Sequence, residues 1–258
     1  MKSKILLLIF LFTLTLISCD EDKKKTDNKT VVTNKQQNTA NCKTLLIIAE
    51  DRSGSTTDHR KLNAQDYKKI INQFQEKSNG QVAVRVIGNP SPEEREFFTL
   101  IVEPQKPYIE IPNDAKMSTK GKLRKENVEI QKGNQAIIAN NQRAARNFVA
   151  SKINQHVLNY KPYKGRDLTN IQDALHHIET KIKEPTFKTY DKIQVLIISD
   201  GKHDATKLKE KLHFQPTQNL DLFLIGWLDQ SVFSNVANID SFESVDGFVS
   251  YFKTLNCK

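Results

Sequence analysis

Short apolar runs and helical patterns alternate along most of this chain. Residues 45–49 and 193–199 are almost wholly apolar, which is typical of strands that are buried on both faces. Between these runs, apolar residues recur at helical spacing, as at Tyr67 and Phe74 within residues 64–77. Strands that alternate with helices predict an α/β fold, a doubly wound sheet with helices on both faces.

One pair of predicted strands departs from the parallel arrangement. Residues 82–86 and 98–102 are separated by a turn-rich stretch at residues 89–92, so they are expected to form an antiparallel hairpin at the sheet edge. The sheet is therefore predicted to be mostly parallel with one antiparallel edge strand. The other predicted elements are a short strand at 108–111, helices at 135–159, 171–182, 205–212 and 242–255, and a last strand at 222–227.

The beginning of the chain has the pattern of a targeting signal. A short basic start precedes an apolar run at residues 5–17, which is too short for a spanning helix and is typical of a secretory leader. The run ends in Leu-Ile-Ser-Cys, which resembles a bacterial lipobox, whose cysteine becomes the acylated first residue of the mature protein. We therefore predict a lipoprotein signal peptide at residues 1–18 and lipidation of Cys19.

A polar segment separates the lipobox from the folded part of the chain. Residues 19–41 are almost free of apolar side chains, so they are predicted to be a disordered tether. Its acidic opening resembles the export signals of some surface lipoproteins, so a surface-exposed and a periplasmic position both stay open. The expected location is the bacterial cell envelope, with the lipid anchor in the outer membrane. Residues 42–258 are long enough for one domain with a full core.

The chain is basic, with a formal net charge of +9. This excess suits acidic partners such as anionic glycans or lipid headgroups. Basic residues do not interleave with aromatic ones, so nucleic acid is not an expected partner. Lysine and arginine are dense at residues 112–132, inside a presumed insertion at about 104–133. This segment is expected to be a solvated loop or, if it folds near a binding site, a surface that recruits anionic ligands.

Acidic and hydroxyl side chains follow the predicted strands. Asp51, Ser53 and Ser55 come directly after the first apolar run, and Asp200 comes after the run at 193–199. In an open parallel sheet, binding groups gather outside the carboxyl ends of the strands. Thr169 lies in a polar loop that is placed to reach the same edge. Carboxylate and hydroxyl oxygens are hard ligands that suit Mg²⁺.

In their order and strand context, these residues resemble the von Willebrand factor type A (vWA) family. Its metal-ion-dependent adhesion site (MIDAS) uses a D-x-S-x-S loop after the first strand, a distant threonine, and an aspartate after a later strand. The resemblance implies that Ser53, Ser55 and Thr169 bind a cation through their hydroxyls, and that Asp51 and Asp200 act largely through water. It implies Mg²⁺, with Mn²⁺ or Ca²⁺ as alternatives, and a partner carboxylate at the open position of the ion.

The sequence departs from the family pattern in two places. Glu50 stands where an apolar residue is usual, and it is expected either to be a spare acid beside the metal or to point outward. The interval before Thr169 is longer than usual, which leaves Thr119, Thr180 and Thr186 open as alternatives for the metal-binding threonine.

The expected function is adhesion rather than catalysis. The protein is interpreted as a membrane-anchored envelope lipoprotein that binds a protein or other acidic ligand through its metal ion. The alternative is a metal-dependent phosphoester hydrolase or phosphotransferase that uses Asp51 and Asp200, with His59 or His203 as general base. A scaffold with an unused site is a third possibility. The sequence has no zinc-hydrolase helix motif, nucleophile elbow, Walker loop or dinucleotide fingerprint, which excludes those enzyme classes.

Two cysteines flank the predicted domain. Cys42 precedes the first strand and Cys257 follows the last predicted helix. Domain termini often lie close together, and in the resembled family the domain ends can be bridged. The envelope is oxidising enough for a disulfide to persist, so a Cys42–Cys257 bond is expected.

Overall fold

The computed structural model describes residues 42–54, 56, 60–90, 95–166, 168–202, 212–216, 220–227 and 229–255. These residues form a six-stranded sheet in the order β3-β2-β1-β4-β5-β6. The strands are β1 (Lys43–Asp51), β2 (Asn79–Ile87), β3 (Phe98–Val102), β4 (Lys192–Ile198), β5 (Asp221–Ile225) and β6 (Asn238–Phe242). The α-helices are α1 (Ala64–Lys77), α2 (Met117–Phe148), α3 (Ile171–Lys183) and α4 (Val245–Phe252), and a π-helical segment (Val149–Leu158) continues α2.

The sheet is mostly parallel, as predicted. β1 lies at its centre and pairs in parallel with β2 on one side and with β4 on the other. β3 pairs antiparallel with β2 and forms one edge. The predicted fold class, a mostly parallel sheet with one antiparallel edge strand and helices, is confirmed.

Successive side chains of the buried strands enter two separate cores. On β1, Leu46 and Ile48 pack in a cluster with residues of α1, α4 and the π-helical segment. Leu45 and Ile47 point to the other face, where they pack in a cluster with residues of α3. Because neither face of β1 is exposed to water, its sequence is a continuous apolar run rather than an alternating one.

Three sequence predictions about secondary structure need correction or fall outside the described residues. The last strand is β6 rather than residues 222–227, and β6 was missed because it holds only two apolar residues and is partly exposed. Residues 108–111 are extended but belong to no strand. Most of the predicted helix at 205–212 lies outside the described residues.

The basic segment is a helix rather than a solvated loop. α2 begins at Met117 and runs for 32 residues, and the π-helical segment adds ten more. In the first half of α2, residues 117–132, every side chain is exposed or only partly buried. An extended stretch, residues 103–112, runs beside this half of the helix and connects it to β3. We call residues 103–140 the arm.

Three asparagines on α2 bind the extended stretch in a ladder. Asn141 accepts a hydrogen bond from the Glu103 amide at 3.1 Å and donates one to the Glu103 carbonyl at 3.0 Å. Asn134 and Asn127 bind the amide and carbonyl of Lys106 and of Ile109 in the same way, each bond 2.8 Å long.

The spacing of the ladder follows from the geometry of its two sides. The asparagines repeat every seventh residue, about 10.5 Å along an α-helix. The bound residues repeat every third, about 9.3 Å along a polyproline II chain, a conformation that Pro104 and Pro107 favour. Because the two repeats nearly match, one asparagine after another meets a backbone amide and carbonyl.

The arm projects from the amino edge of the sheet. Val102, at the end of β3, pairs with Gly80 at the start of β2. The Gln75 side chain of α1 donates a hydrogen bond to the Asn141 carbonyl, so α2 meets the body of the domain near residue 141. The 24 residues of α2 that precede Asn141 span about 36 Å at 1.5 Å per residue. The arm therefore points away from the carboxyl edge, and the basic segment does not lie at the rim of the predicted metal site.

Among the described residues, no helix is both long enough and apolar enough to cross a membrane.

Candidate functional site at the carboxyl edge

The strand order places a crevice between the ends of β1 and β4. The chain adds β2 and β3 on one side of β1, then crosses over and adds β4, β5 and β6 on the other side. In open α/β sheets, ligands bind outside the carboxyl ends of the strands at such a switch point. Asp51 ends β1 and Ser199 directly follows β4, so both lie at this crevice.

The Asp51 carboxylate is buried and held on both of its oxygens. Oδ1 accepts a hydrogen bond from the Ser53 amide at 2.9 Å, and Oδ2 accepts one from the Ser199 hydroxyl at 2.9 Å. Burial nevertheless raises the pKa of Asp51 above its usual value, although the bonds from Ser53 and Ser199 oppose that shift. The two hydrogen bonds therefore fix the orientation of the Asp51 carboxylate, but they offset only part of the cost of burying its negative charge.

Three further oxygens at this edge are buried without a hydrogen-bond partner among the described residues. They are Thr56 Oγ1, Thr169 Oγ1 and Asp200 Oδ2. Thr56 is close enough to Asp51 to favour its charged form, yet its hydroxyl makes no hydrogen bond of good geometry. The exposed Lys202 ammonium lies 3.4 Å from Asp200 Oδ2. Buried polar atoms without partners are costly, so these three oxygens are candidates for contact with a ligand.

Local structure explains why Thr169 is at the carboxyl edge. The next residue, Asn170, donates its amide to the Gly88 carbonyl just beyond β2, and its side chain caps α3 by accepting from the Asp173 amide. Asp173 in turn forms an ion pair with the buried Arg85 of β2. Thr169 is therefore fixed between β2 and the start of α3, and its side chain is fully buried.

The other candidate threonines lie elsewhere. Thr119 is in the arm, Thr180 is exposed near the end of α3, and Thr186 lies in a 3₁₀ turn before β4. Since α3 runs from the carboxyl edge toward the amino edge, none of these three is near Asp51. Of the four candidate threonines, only Thr169 lies at the carboxyl edge of the sheet.

Glu50 is neither a spare acid beside a metal nor an outward-facing side chain, which corrects both sequence expectations. It is fully buried on the α1 face of the sheet. Its Oε1 accepts from the Leu62 amide at 2.6 Å, and its Oε2 accepts from the Tyr67 hydroxyl at 2.6 Å and from the Arg52 guanidinium at 2.9 Å. Arg52 also donates to the Leu62 carbonyl at 2.5 Å.

The consequence of this network is that both ends of the β1–α1 loop are fixed. Arg52 at its start and Leu62 at its end are both bound to Glu50, and the Arg52 amide also donates to the Ile87 carbonyl of β2 at 3.2 Å. Ser53 and Thr56 lie between these anchors. Burial raises the pKa of Glu50. The charge of Arg52 and the hydrogen bonds from Tyr67, Leu62 and Arg52 lower this pKa and so offset part of the rise.

The remaining predicted residues lie outside the described part of the chain. They are Ser55, His59, His203, Cys19 and Cys257. No group of three or more histidine, cysteine, aspartate or glutamate side chains is placed to hold a metal within the residues that the structure describes. The predicted metal site has only two carboxylates and otherwise uses hydroxyls, so it differs in composition from such groups.

No protein-family model matches this sequence, and no curated protein is significantly similar to it. The resemblance to the vWA family therefore depends on the types, order and strand context of the site residues.

Sequence reasoning missed two hydroxyls of the site, those of Ser199 and Thr56. Ser199 ends the apolar run that leads into Asp200, so it was counted with the strand. The serine repeat of the D-x-S-x-S loop drew attention to Ser53 and Ser55 rather than to Thr56. A signal was present for Ser199, because a polar residue directly after a wholly buried strand must find a partner at the sheet edge.

Proposed function

We propose that this protein is a membrane-anchored envelope lipoprotein whose domain binds a protein or other acidic ligand through a divalent cation at the carboxyl edge. One observation supports this most strongly: Asp51 is a buried carboxylate at the carboxyl edge of the sheet, and at the same edge Thr169 Oγ1 and Asp200 Oδ2 are buried without a hydrogen-bond partner among the described residues.

The chemistry of this oxygen set fits a hard cation. Hydroxyl and carboxylate oxygens are the ligands that Mg²⁺, Mn²⁺ and Ca²⁺ prefer. Following the resemblance to the vWA family, Ser53, Ser55 and Thr169 would hold the ion through hydroxyls, and Asp51 and Asp200 would act through water. A cation held mostly by neutral oxygens remains able to accept a carboxylate from a partner. Lys202 competes for Asp200, so the affinity for the ion depends on how readily this exposed ammonium moves away.

Calorimetry with magnesium chloride tests the site. The chain from residue 19 with Cys19→Ser is titrated in parallel with its Asp51→Ala and Asp200→Ala variants. Binding by the parent and loss of binding in both variants is the expected result. Asp114→Ala is the matched control, because Asp114 is exposed in the arm and should not alter binding. If Asp51→Ala binds Mg²⁺ like the parent, the metal site is refuted.

The binding partner is tested on the same proteins. The immobilised domain should retain proteins or anionic ligands with Mg²⁺ present and release them with a chelator. The two aspartate variants should retain none of these ligands. Turnover of phosphoester substrates by the parent would instead favour the hydrolase, whose proposed base is His59 or His203. No described residue provides an observation in favour of that enzyme, so binding remains the proposal.

The membrane anchor is tested separately. Mass spectrometry of the protein purified from its own cell envelope is expected to show a mature chain that begins at acylated Cys19. An unmodified or full-length N-terminus would contradict the anchor but would leave the proposed metal site untouched.

A further inference from the structure

We propose that the tip of the arm, residues 112–125, binds the surface of an anionic lipid bilayer. This contact is additional to acylation of Cys19. The choice of a membrane as partner rests on the proposed lipid anchor but not on the proposed metal site.

The tip has a strong excess of positive charge. Its only acidic residue is Asp114, whereas five residues are basic: Lys116, Lys120, Lys122, Arg124 and Lys125. Lys120 is partly buried, and its ammonium donates to the Asn113 carbonyl at 2.6 Å. The side chains of the other four are exposed. Among the described residues, one ion pair involves these four side chains: the Lys122 ammonium lies 3.9 Å from the Glu126 carboxylate. Most of their positive charge is therefore available to a partner.

Two of the basic residues, Lys116 and Lys120, stand at the start of the helix, where positive charge is unfavourable. The N-terminus of a helix bears partial positive charge and favours acidic side chains. α1, α3 and α4 follow this rule, since each has a side-chain cap and an aspartate in its first turn. α2 has neither a side-chain cap nor an acidic residue in its first turn. The cost of this arrangement to helix stability suggests that the positive charge serves an external partner.

The position of the tip selects a membrane as that partner. The polypeptide enters the domain at Cys42, at the same amino edge from which the arm projects. The predicted lipid anchor precedes Cys42 in the chain. The asparagine ladder keeps the arm extended, so the tip lies about 36 Å from the body on the side where the chain arrives. The tip also exposes an apolar residue, Met117, with 77% of its surface accessible. Basic residues around an exposed apolar side chain suit a headgroup region.

Vesicle co-sedimentation tests the proposal with the unacylated chain from residue 19, Cys19→Ser. Vesicles of phosphatidylcholine alone are compared with vesicles that contain phosphatidylglycerol. The tip variant replaces Lys116, Lys122, Arg124 and Lys125 with glutamate. Lys116→Glu favours the start of α2. Lys122→Glu and Lys125→Glu place like charges four residues before Glu126 and Glu129, so the circular dichroism of this variant must match that of the parent. The control variant replaces four exposed lysines of the body with glutamate, an equal change in net charge: Lys68, Lys152, Lys183 and Lys188.

The parent is expected to bind only the vesicles with phosphatidylglycerol. The tip variant should bind them at least about tenfold more weakly, because each basic residue near an anionic surface adds to the attraction. The body control should bind within about twofold of the parent. Parent binding that is equal on both vesicle types, or an equal loss in both variants, would overturn the proposal. Sedimentation of the parent as a dimer that the tip variant dissociates would also overturn it, because the arm would then bind a second copy.

Discussion

At the scale of single residues, Asp51 is where burial and charge conflict most directly. Its pKa is raised because burial disfavours the carboxylate. A raised pKa means that the group contributes most to stability below its usual pKa of 3.8 and loses that contribution as the pH rises through the folded value. Above the raised pKa, the ionised Asp51 therefore destabilises the protein, and a cation bound beside it would offset that cost.

Asp51→Asn should consequently raise the melting temperature at pH 7 in the presence of a chelator, by about 2–4 °C for each kcal/mol of relieved burial cost. The difference from the parent should shrink as the pH falls through the raised pKa of Asp51. Thermal unfolding from pH 4 to 8 measures this. Asp114→Asn should show no such trend. A variant that is less stable than the parent at pH 7 would show that the carboxylate is needed for folding instead.

Glu50 is also a buried acid whose pKa is raised by burial, but it accepts hydrogen bonds from Leu62, Tyr67 and Arg52. Glu50→Ala would leave Arg52, the Tyr67 hydroxyl and the Leu62 amide without their acceptor, and removal of one member of a buried ion pair costs about 3–5 kcal/mol. Tyr67→Phe removes one bond and should cost about 1–2 kcal/mol. Urea unfolding curves compare the two. A loss below about 1 kcal/mol for Glu50→Ala would mean that water replaces these contacts without penalty.

At the scale of elements, the arm depends on its asparagine ladder. Asn134→Ala removes two hydrogen bonds to Lys106, so local opening should become easier by about 1–3 kcal/mol and exchange of the Lys106 amide should quicken about tenfold or more. The melting temperature of the whole domain should change little, because the distal arm packs against few other described residues.

Asn134→Asp sharpens this measurement. An aspartate still accepts from the Lys106 amide but cannot donate to its carbonyl, so hydrogen exchange at Lys106 should fall between the parent and Asn134→Ala. Asn140→Ala is the control, because among the described residues the side chain of Asn140 bonds only to Arg143 and lies off the ladder. Equal exchange rates in Asn134→Ala and the parent would show that the extended segment is held by other contacts.

The elements that the sequence predicted correctly share one property: a continuous or periodic apolar signal. β1, α1 and β3 have it, and their predicted positions agree with the structure. The arm lacks it, because its helix is held by amides that bind another segment's backbone. In the sequence, an asparagine at every seventh position of a polar helix looks the same as a helix face exposed to water. The two can be told apart only if the segment that the asparagines bind is recognised as well. β6 was missed for a related reason, since an edge strand buries few side chains.

The candidate site was predictable only in outline. Parallel strands that end in Asp51 and Asp200 indicated the edge, and the edge follows from the fold. The role of Glu50 was not predictable, because it depends on Tyr67 and Leu62, which reach it only through the packing of α1 and its preceding loop. The pairing of Ser199 with Asp51 likewise joins residues 148 positions apart.

At the scale of the whole molecule, the two proposed binding regions lie at opposite ends of the sheet. The crevice with Asp51 is at the carboxyl edge, and the arm begins at the amino edge beside Cys42. If the arm tip and the acylated Cys19 both contact a bilayer, the crevice faces away from it. A ligand in the surrounding medium would then reach the cation without passing the membrane surface.

The ends of the described domain lie near one another, which bears on the predicted disulfide. The Lys77 ammonium donates to the Leu255 carbonyl at 2.5 Å, two residues before Cys257. Two residues after Lys77, the Asn79 amide donates to the Cys42 carbonyl at 3.0 Å. Both contacts lie at the amino edge of the sheet. Cys42 is buried, whereas Cys257 lies outside the described residues, so the pairing stays a prediction.

We expect non-reducing peptide mapping of the mature protein to recover Cys42 and Cys257 in one linked peptide. The bond would close a loop of about 215 residues, and the chain-entropy model gives about 5 kcal/mol as an upper figure for its stabilisation. Cys257→Ser should therefore lower the melting temperature, and a reducing agent should lower that of the parent by the same amount. Cys19→Ser is the control and should leave both the linked peptide and the melting temperature unchanged. Recovery of Cys257 as a free thiol from protein kept under oxidising conditions would refute the bond.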